Sequence, residues 1–302
     1  MVARALLAAA LVALVAGCGS SGNGIPRLDF HYDAKASLGY HDLGRVNARS
    51  YPIALDDVSF QSGGHTVDAY LLRPPGTQRR PAVVIVPGAG GDRRQLLPEA
   101  AWLAARGIVT LTLTPPSSLV TTQPRTAKGL LAQARDITVA DVVAVRRAVD
   151  LLSTLPTVDR SRVGFLGWSL GAKTGTFVAA EEPRVKSLVL LSAGADALSA
   201  FEKQAPASLR PQVKTVLGSV DPIRYVAWAK PGSLLLEDGT RDQVVPHAAL
   251  LRIANAAPKG TTVRWFAAPH ELNGHAFAVA FAWLAQKLAA GPNVPGAATG
   301  PS

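Results

Sequence analysis

RVGFLGWSLGAKTGTFVAA, residues Arg162 to Ala180, decides how this chain is read. Its first half is an apolar run suited to a buried strand, and its second half is a run of small residues suited to a closely packed helix. Between them Gly167 and Gly171 bracket Ser169 in the pattern G-x-S-x-G. Such a turn holds the serine hydroxyl out beyond the end of the strand, at the positive end of the helix that follows. Glycine is required on both sides because the turn packs too closely for a Cβ. The five-residue pattern is weak by itself, and the strand before it and helix after it give it weight. Ser169 is the candidate nucleophile.

Outward from this turn, strands and helices alternate. DDVSFQSGG and HTVDAYLLRP read as an antiparallel hairpin turning at Ser62-Gly63-Gly64. PAVVIVPG from Pro81 and GIVTLTLTPP read as buried strands, with GDRRQLLPEAAWLAARG a helix between them that ends at Gly107. A long amphipathic helix is expected from about Ala134, stopping before Pro156. VKSLVLLSA, PGSLLLEDG and TTVRWFAAP supply the later strands, and HAFAVAFAWLAQKLAA closes the domain. Repeated strand–helix units with continuously apolar strands predict an α/β fold, a mainly parallel central sheet with helices on both faces. The domain is expected over residues 52–290, preceded by a tether and lead-in segment over 18–51 without clear periodicity. A disordered tail rich in proline and glycine is expected over 291–302. The insert from about Ala193 to Lys230 reads as helical, a candidate cap over the cleft, and PPSSLVTTQPRTAKG as a mobile rim.

The net charge is +10 across 302 residues, with 48% hydrophobic and 17% charged residues. That composition suits a globular enzyme and excludes a disordered chain. The arginines are scattered and no basic run is interleaved with aromatics, so no nucleic-acid partner is expected. The first residues carry an address: MVAR is a short positive region, and ALLAAALVALVA is an apolar core too short to span a bilayer. Val15-Ala16-Gly17-Cys18 then resembles the lipobox of bacterial lipoproteins. This implies a signal peptide over 1–17, lipidation at Cys18 and an extracytoplasmic protein anchored to the cell membrane. Cys18 is the single cysteine of the chain, so no internal disulfide is expected.

In parallel sheets ligands bind beyond the carboxyl ends of the strands. After PGSLLLEDG lie Asp238 and Asp242, and after TTVRWFAAP lie His270 and, a few residues on, His275. The order serine, acid, histidine fits nucleophilic catalysis, in which an imidazole takes the hydroxyl proton and a buried carboxylate orients the imidazole. Asp238 sits on the strand end, where it suits a turn before Gly239, and His275 opens the last helix, where it suits a surface or capping role. His247, at another helix start, reads as solvated. A tetrahedral intermediate also needs backbone donors, one being the amide of Leu170 and another coming from the loop Pro87-Gly88-Ala89-Gly90-Gly91. That loop lacks the lysine and hydroxyl spacing of a phosphate cradle. No histidine–carboxylate cluster has metal-ligand spacing, so neither metal nor cofactor is expected.

From roughly Ser59 to Leu288 the chain resembles bacterial α/β-hydrolases of the dienelactone-hydrolase-like group, related to the catalytic domains of prolyl-oligopeptidase-type enzymes. VPGAGGDRR, VDRSRVGFLGWSLGA, EDGTRDQVVP and WFAAPHELN carry the resemblance. It implies Ser169 as nucleophile, Asp242 as orienting acid, His270 as base and the Ala89 amide as the second oxyanion donor. Two departures matter. Pro87 stands where many relatives have histidine and has no amide hydrogen to offer. Serine stands where the group's namesake enzyme uses cysteine, which argues against dienelactone as substrate. The implied function is a tethered carboxylesterase acting on short to medium acyl esters as a monomer. A serine peptidase or amidase and a non-catalytic ligand-binding lipoprotein are the alternatives. Trp168 reads as packing under the site or lining it, and Trp228 as lining the acyl pocket or joining the core.

Overall fold

The computed structural model describes residues 25–46, 53–195, 202–203 and 205–290. The signal segment with Cys18, the first part of the tether and the tail from residue 291 lie outside the described residues. Hairpin strands β2 (Ala54–Ser62) and β3 (His65–Arg73) pair residue for residue up to Ser62 opposite His65. Their two-residue turn has Gly63 at φ 55° and Gly64 at φ 84°, and two consecutive positive φ values match the twist of the strands it joins. The apolar runs then form β4 (Arg80–Val86), β5 (Val109–Leu113), β6 (Val158–Trp168), β7 (Val185–Leu191), β8 (Leu234–Gly239) and β9 (Thr262–Phe266).

With an edge strand β1 (His41–Arg45), the sheet has nine strands among the described residues, in the order β1-β2-β3-β5-β4-β6-β7-β8-β9. Strands β5 through β9 run parallel along that order, and β1 to β3 form an antiparallel margin. Successive side chains in a strand point to opposite faces, so each strand feeds two cores. Val84, Phe165, Leu190 and Leu236 pack on one side with Ala144 and Val145 of the long helix α2 (Ala127–Thr154). Ile85, Leu166, Val189 and Leu235 pack on the other, with Leu103 of α1 (Leu97–Ala105) and Phe281 of the closing helix α7 (Gly274–Lys287). Helix α3 (Leu170–Glu181) follows β6, and α6 (His247–Ala256) lies between β8 and β9. Among the described residues no helix is long and apolar enough to cross a membrane.

Three features depart from the sequence expectations. Helix α2 begins at Ala127 rather than near Ala134, because the Thr126 hydroxyl accepts the Gly129 amide and caps the earlier start. Helix α1 begins only at Leu97, since Asp92 turns the preceding loop by accepting the Arg94 amide and Arg93 is drawn to Asp57.

The third departure corrects the lead-in segment, whose described part is integral to the domain. Leu28 and Phe30 are buried, and the Phe30 ring lies 5.8 Å from Phe177 and 5.9 Å from Tyr225. The Leu28 amide donates to the Tyr225 hydroxyl at 2.9 Å. Strand β1 then pairs with β2, and Arg45 Nε donates to Asp56 Oδ1 across the pair at 2.7 Å; every residue of β1 is exposed, so no hydropathy period marks it.

Phe30→Ala should therefore lower unfolding free energy by about 3–5 kcal/mol, as for other buried aromatic truncations. Urea unfolding reads this directly, and an unchanged midpoint would show the segment to be a passenger.

Candidate active site

The β6–α3 turn sets the geometry. Ser169 stands between strand and helix at φ 55° and ψ −114°, a left-handed backbone that a non-glycine residue adopts only where its surroundings enforce it. Its amide donates to the Leu191 carbonyl of the neighbouring strand at 2.8 Å. Gly171 crosses the end of β4 so closely that a Cβ there would overlap the Val86 carbonyl and lie 2.6 Å from that of Pro87.

Ser169 Oγ lies 2.9 Å from His270 Nε2, and His270 Nδ1 lies 2.8 Å from Asp242 Oδ2. With Asp242 ionised, Nδ1 carries the ring proton, and Nε2 is left to accept from the hydroxyl. The second carboxylate oxygen, Asp242 Oδ1, accepts the amides of Val244 and Val245, both at 2.8 Å. Burial works to raise the Asp242 carboxyl. The His270 ring N–H and the Val245 and Val244 amides outweigh it and hold the group below the ordinary carboxylate range. Only 5% of the His270 side chain and 1% of that of Asp242 remain exposed, so the pair is shielded from water.

His270 is also gripped through its backbone. Its carbonyl accepts Trp168 Nε1–H at 3.0 Å and Ser192 Oγ–H at 2.9 Å, and the Trp168 ring lies 5.4 Å from the imidazole. Ser192 in turn donates its amide to the Glu237 carbonyl, which ties β7 to β8. The sequence reading missed Ser192, although its place directly after β7, at a strand's carboxyl end, was a usable signal. It also missed Gln95, whose Oε1 accepts the Gly88 amide at 2.9 Å and fixes the Pro87–Gly91 loop. Gly88 lies against Trp168 and Ser169, so Ala89 is adjacent to the β6–α3 turn. Among the described residues no protein acceptor takes the amide of Ala89 or of Leu170.

The rival residues fall elsewhere. His275 is exposed, edge-on to Phe266 with ring centroids 5.6 Å apart, and His247 is exposed against Trp265 at 4.6 Å. Asp238 is buried without reaching His270. Trp228 neither lines the cleft nor joins the core: it is 64% exposed, beneath the Arg27 guanidinium. The insert expected to cap the cleft instead packs its described helices, α4 (Arg210–Ser219) and α5 (Ile223–Val226), against α2 and α3. The Tyr225 ring of α5 packs, tilted, against Phe177, near the end of α3 remote from Ser169, and this apolar contact draws the insert to the flank.

A mainly parallel sheet with helices on both faces, and a tight strand–turn–helix at its rim, is the α/β-hydrolase fold. The chain belongs to the dienelactone hydrolase family, whose sequence profile matches residues 67–219, just over half of it. That match includes Ala89 and Ser169 and stops before Asp242 and His270. Acetyl Xylan Esterase 1 from Thermoanaerobacterium sp. JW/SL YS485 has a similar structure, with a TM-score of 0.68, 18% identity and coverage of 82% of this chain and 87% of that one. An acetyl xylan esterase from Paenibacillus sp. R4 matches with the same TM-score of 0.68 and 18% identity, covering 82% of this chain and 89% of that one. A puromycin-hydrolyzing peptidase from Mycobacterium tuberculosis gives a TM-score of 0.60 at 19% identity, covering 79% of this chain but 40% of its own. No curated protein sequence matches the chain significantly.

Two further carboxyls lie next to the acid loop. Glu237 is fully buried with neither oxygen hydrogen-bonded, and Asp238 Oδ1 is likewise unpartnered. Burial pushes Glu237 up to about 8, helped by Asp238, and pushes Asp238 up to about 8, helped by the Asp242 charge. Folded, both hold their protons up to about pH 8; unfolded, they release them near the ordinary carboxylate values of 4.5 and 3.8. The folded chain thus binds more protons between those limits, and stability falls as pH rises through the window. The urea midpoint should be lower at pH 8 than at pH 5, and Glu237→Gln should flatten that slope. A midpoint that climbs with pH would contradict the assignment.

Proposed function

We propose that the chain is a membrane-tethered extracytoplasmic serine hydrolase that cleaves carboxylic esters of short to medium acyl groups through an acyl-enzyme. The observation that carries this reading is the unbroken hydrogen-bonded series Ser169–His270–Asp242 at the carboxyl ends of β6, β8 and β9. Ser169 Oγ attacks the ester carbonyl carbon as its proton passes to His270 Nε2. The charge that develops on the carbonyl oxygen is met by the amides of Leu170 and Ala89, neither of which is taken by a protein acceptor among the described residues. The intermediate collapses, the C–O bond to the alcohol breaks, and His270 returns its proton to the departing alkoxide. Water then attacks the acyl-enzyme with His270 as base, releasing the acid and restoring the hydroxyl. Asp242 keeps Nδ1 protonated throughout and stabilises the imidazolium.

A small acyl group is supported by the flank position of the insert and by acetyl xylan esterases among the structural neighbours. The tether is supported by Cys18 at the end of the lipobox-like Val15-Ala16-Gly17. A fluorophosphonate probe should label the wild type and leave Ser169→Ala unlabelled, and the same variant should lose roughly 10⁴-fold or more in kcat on p-nitrophenyl butyrate. Labelling that survives the substitution, or faster turnover of long-chain esters and aminoacyl anilides than of butyrate, would overturn the reading.

Trp168 acts as a positioning residue through its bond to the His270 carbonyl. Trp168→Phe keeps the ring and removes that donor, a loss of about 1 kcal/mol, near fivefold. The decrease should fall on kcat with KM unchanged. A change confined to KM would place the indole in the substrate pocket instead.

A further inference from the structure

We infer that the end of the sheet opposite Ser169 rests on an anionic bilayer surface and holds the mouth of the site away from it. The inference rests on the reading of Cys18 as the lipidated anchor. Six residues, 19–24, separate Cys18 from Ile25. At about 3.6 Å per residue the anchor point and Ile25 stand no more than roughly 25 Å apart. Where the described chain begins therefore decides which face meets the membrane.

It begins at the distal end. The Ile25 carbonyl accepts from Arg224 at 2.7 Å, and Ile25 lies over Gly218 at the close of α4. Arg27 pairs with Glu181, the last residue of α3. That helix starts beside Ser169, and 12 residues at about 1.5 Å each carry Glu181 roughly 18 Å from the nucleophile turn. Trp228 lies at the same place, 64% exposed, with the Arg27 guanidinium 4.3 Å over its ring.

The charge at this end agrees. Because β4 and β6 to β9 are parallel, their starts all lie here, together with the close of α7. Exposed cations mark each of them: Arg79 before β4, Arg160 in β6, Lys186 in β7, Lys230 before β8, Lys259 before β9 and Lys287 at the end of α7. Acids at the same end are ion-paired with other arginines, Asp159 with Arg162, Glu181 with Arg27 and Glu182 with Arg184. An exposed indole among surplus cations is the composition that settles at the headgroup level of an anionic leaflet. The triad then opens to the aqueous side, and its substrates are water-borne or matrix-attached esters rather than lipids of the supporting bilayer.

The test uses the full chain, processed in a bacterial host, extracted and reconstituted into vesicles of equal parts phosphatidylcholine and phosphatidylglycerol carrying brominated acyl chains. Bromine should quench part of the tryptophan emission of the wild type, and Trp228→Phe should lose most of that quenching. Lys230→Glu with Lys259→Glu should weaken it. Equal quenching of wild type and Trp228→Phe, in protein that floats with the vesicles and bears an acylated N-terminal peptide, overturns the inference while leaving the anchor intact. An N-terminal peptide without acyl chains, in protein that does not float, overturns the anchor and the orientation together.

Discussion

The site depends on backbone crossing backbone with no side chain between. At Gly171, α3 passes the end of β4 in contact with the Val86 and Pro87 carbonyls. At Gly239, β8 ends against the carbonyls of Ala268 and Pro269, each 2.5 Å from where a Cβ would stand. The first contact fixes the height of the Ser169 hydroxyl above the sheet, and the second fixes the His270 loop beside the acid loop. A methyl at either place would wedge two backbones apart, and backbone, unlike a flexible side chain, has nowhere to swing. The 2.9 Å separation of Ser169 Oγ and His270 Nε2 follows from these two approaches.

What the sequence could reveal divides along the same line. The strand–turn–helix around Ser169, the Gly63-Gly64 hairpin and the succession of strands and helices along the chain were legible because each is local. Apolar runs, turn glycines and strand ends need only neighbouring residues to be recognised. Asp242 and His270 were separable from Asp238 and His275 by their places relative to strand ends and a helix start together with family resemblance, since hydropathy says nothing of where a loop carboxylate points. Features joining distant segments stayed hidden. Strand β1 is stabilised by pairing with β2, and the Phe30–Phe177–Tyr225 cluster draws on three segments that share no motif. The same cluster explains the flank position of the insert. Its apolar residues were visible, but their partners lay in the lead-in segment.

The electrostatics of the acid loop complete the argument. Glu237, Asp238 and Asp242 crowd into six residues at the end of β8. Three buried carboxylates could not all ionise there, because like charges in a poorly solvated region repel and each loses its hydration. The chain resolves this by unequal hydrogen bonding. Asp242 receives a ring N–H and two amides, while neither oxygen of Glu237 nor Oδ1 of Asp238 has a donor. The negative charge accordingly settles on Asp242, the one carboxylate in contact with His270. An additional anion on Asp238 would raise Asp242 towards its neutral form, which no longer supplies the charge that stabilises the imidazolium. Keeping the neighbours neutral thus serves the proposed base directly, and it requires no partner for them beyond the apolar packing that already surrounds the strand.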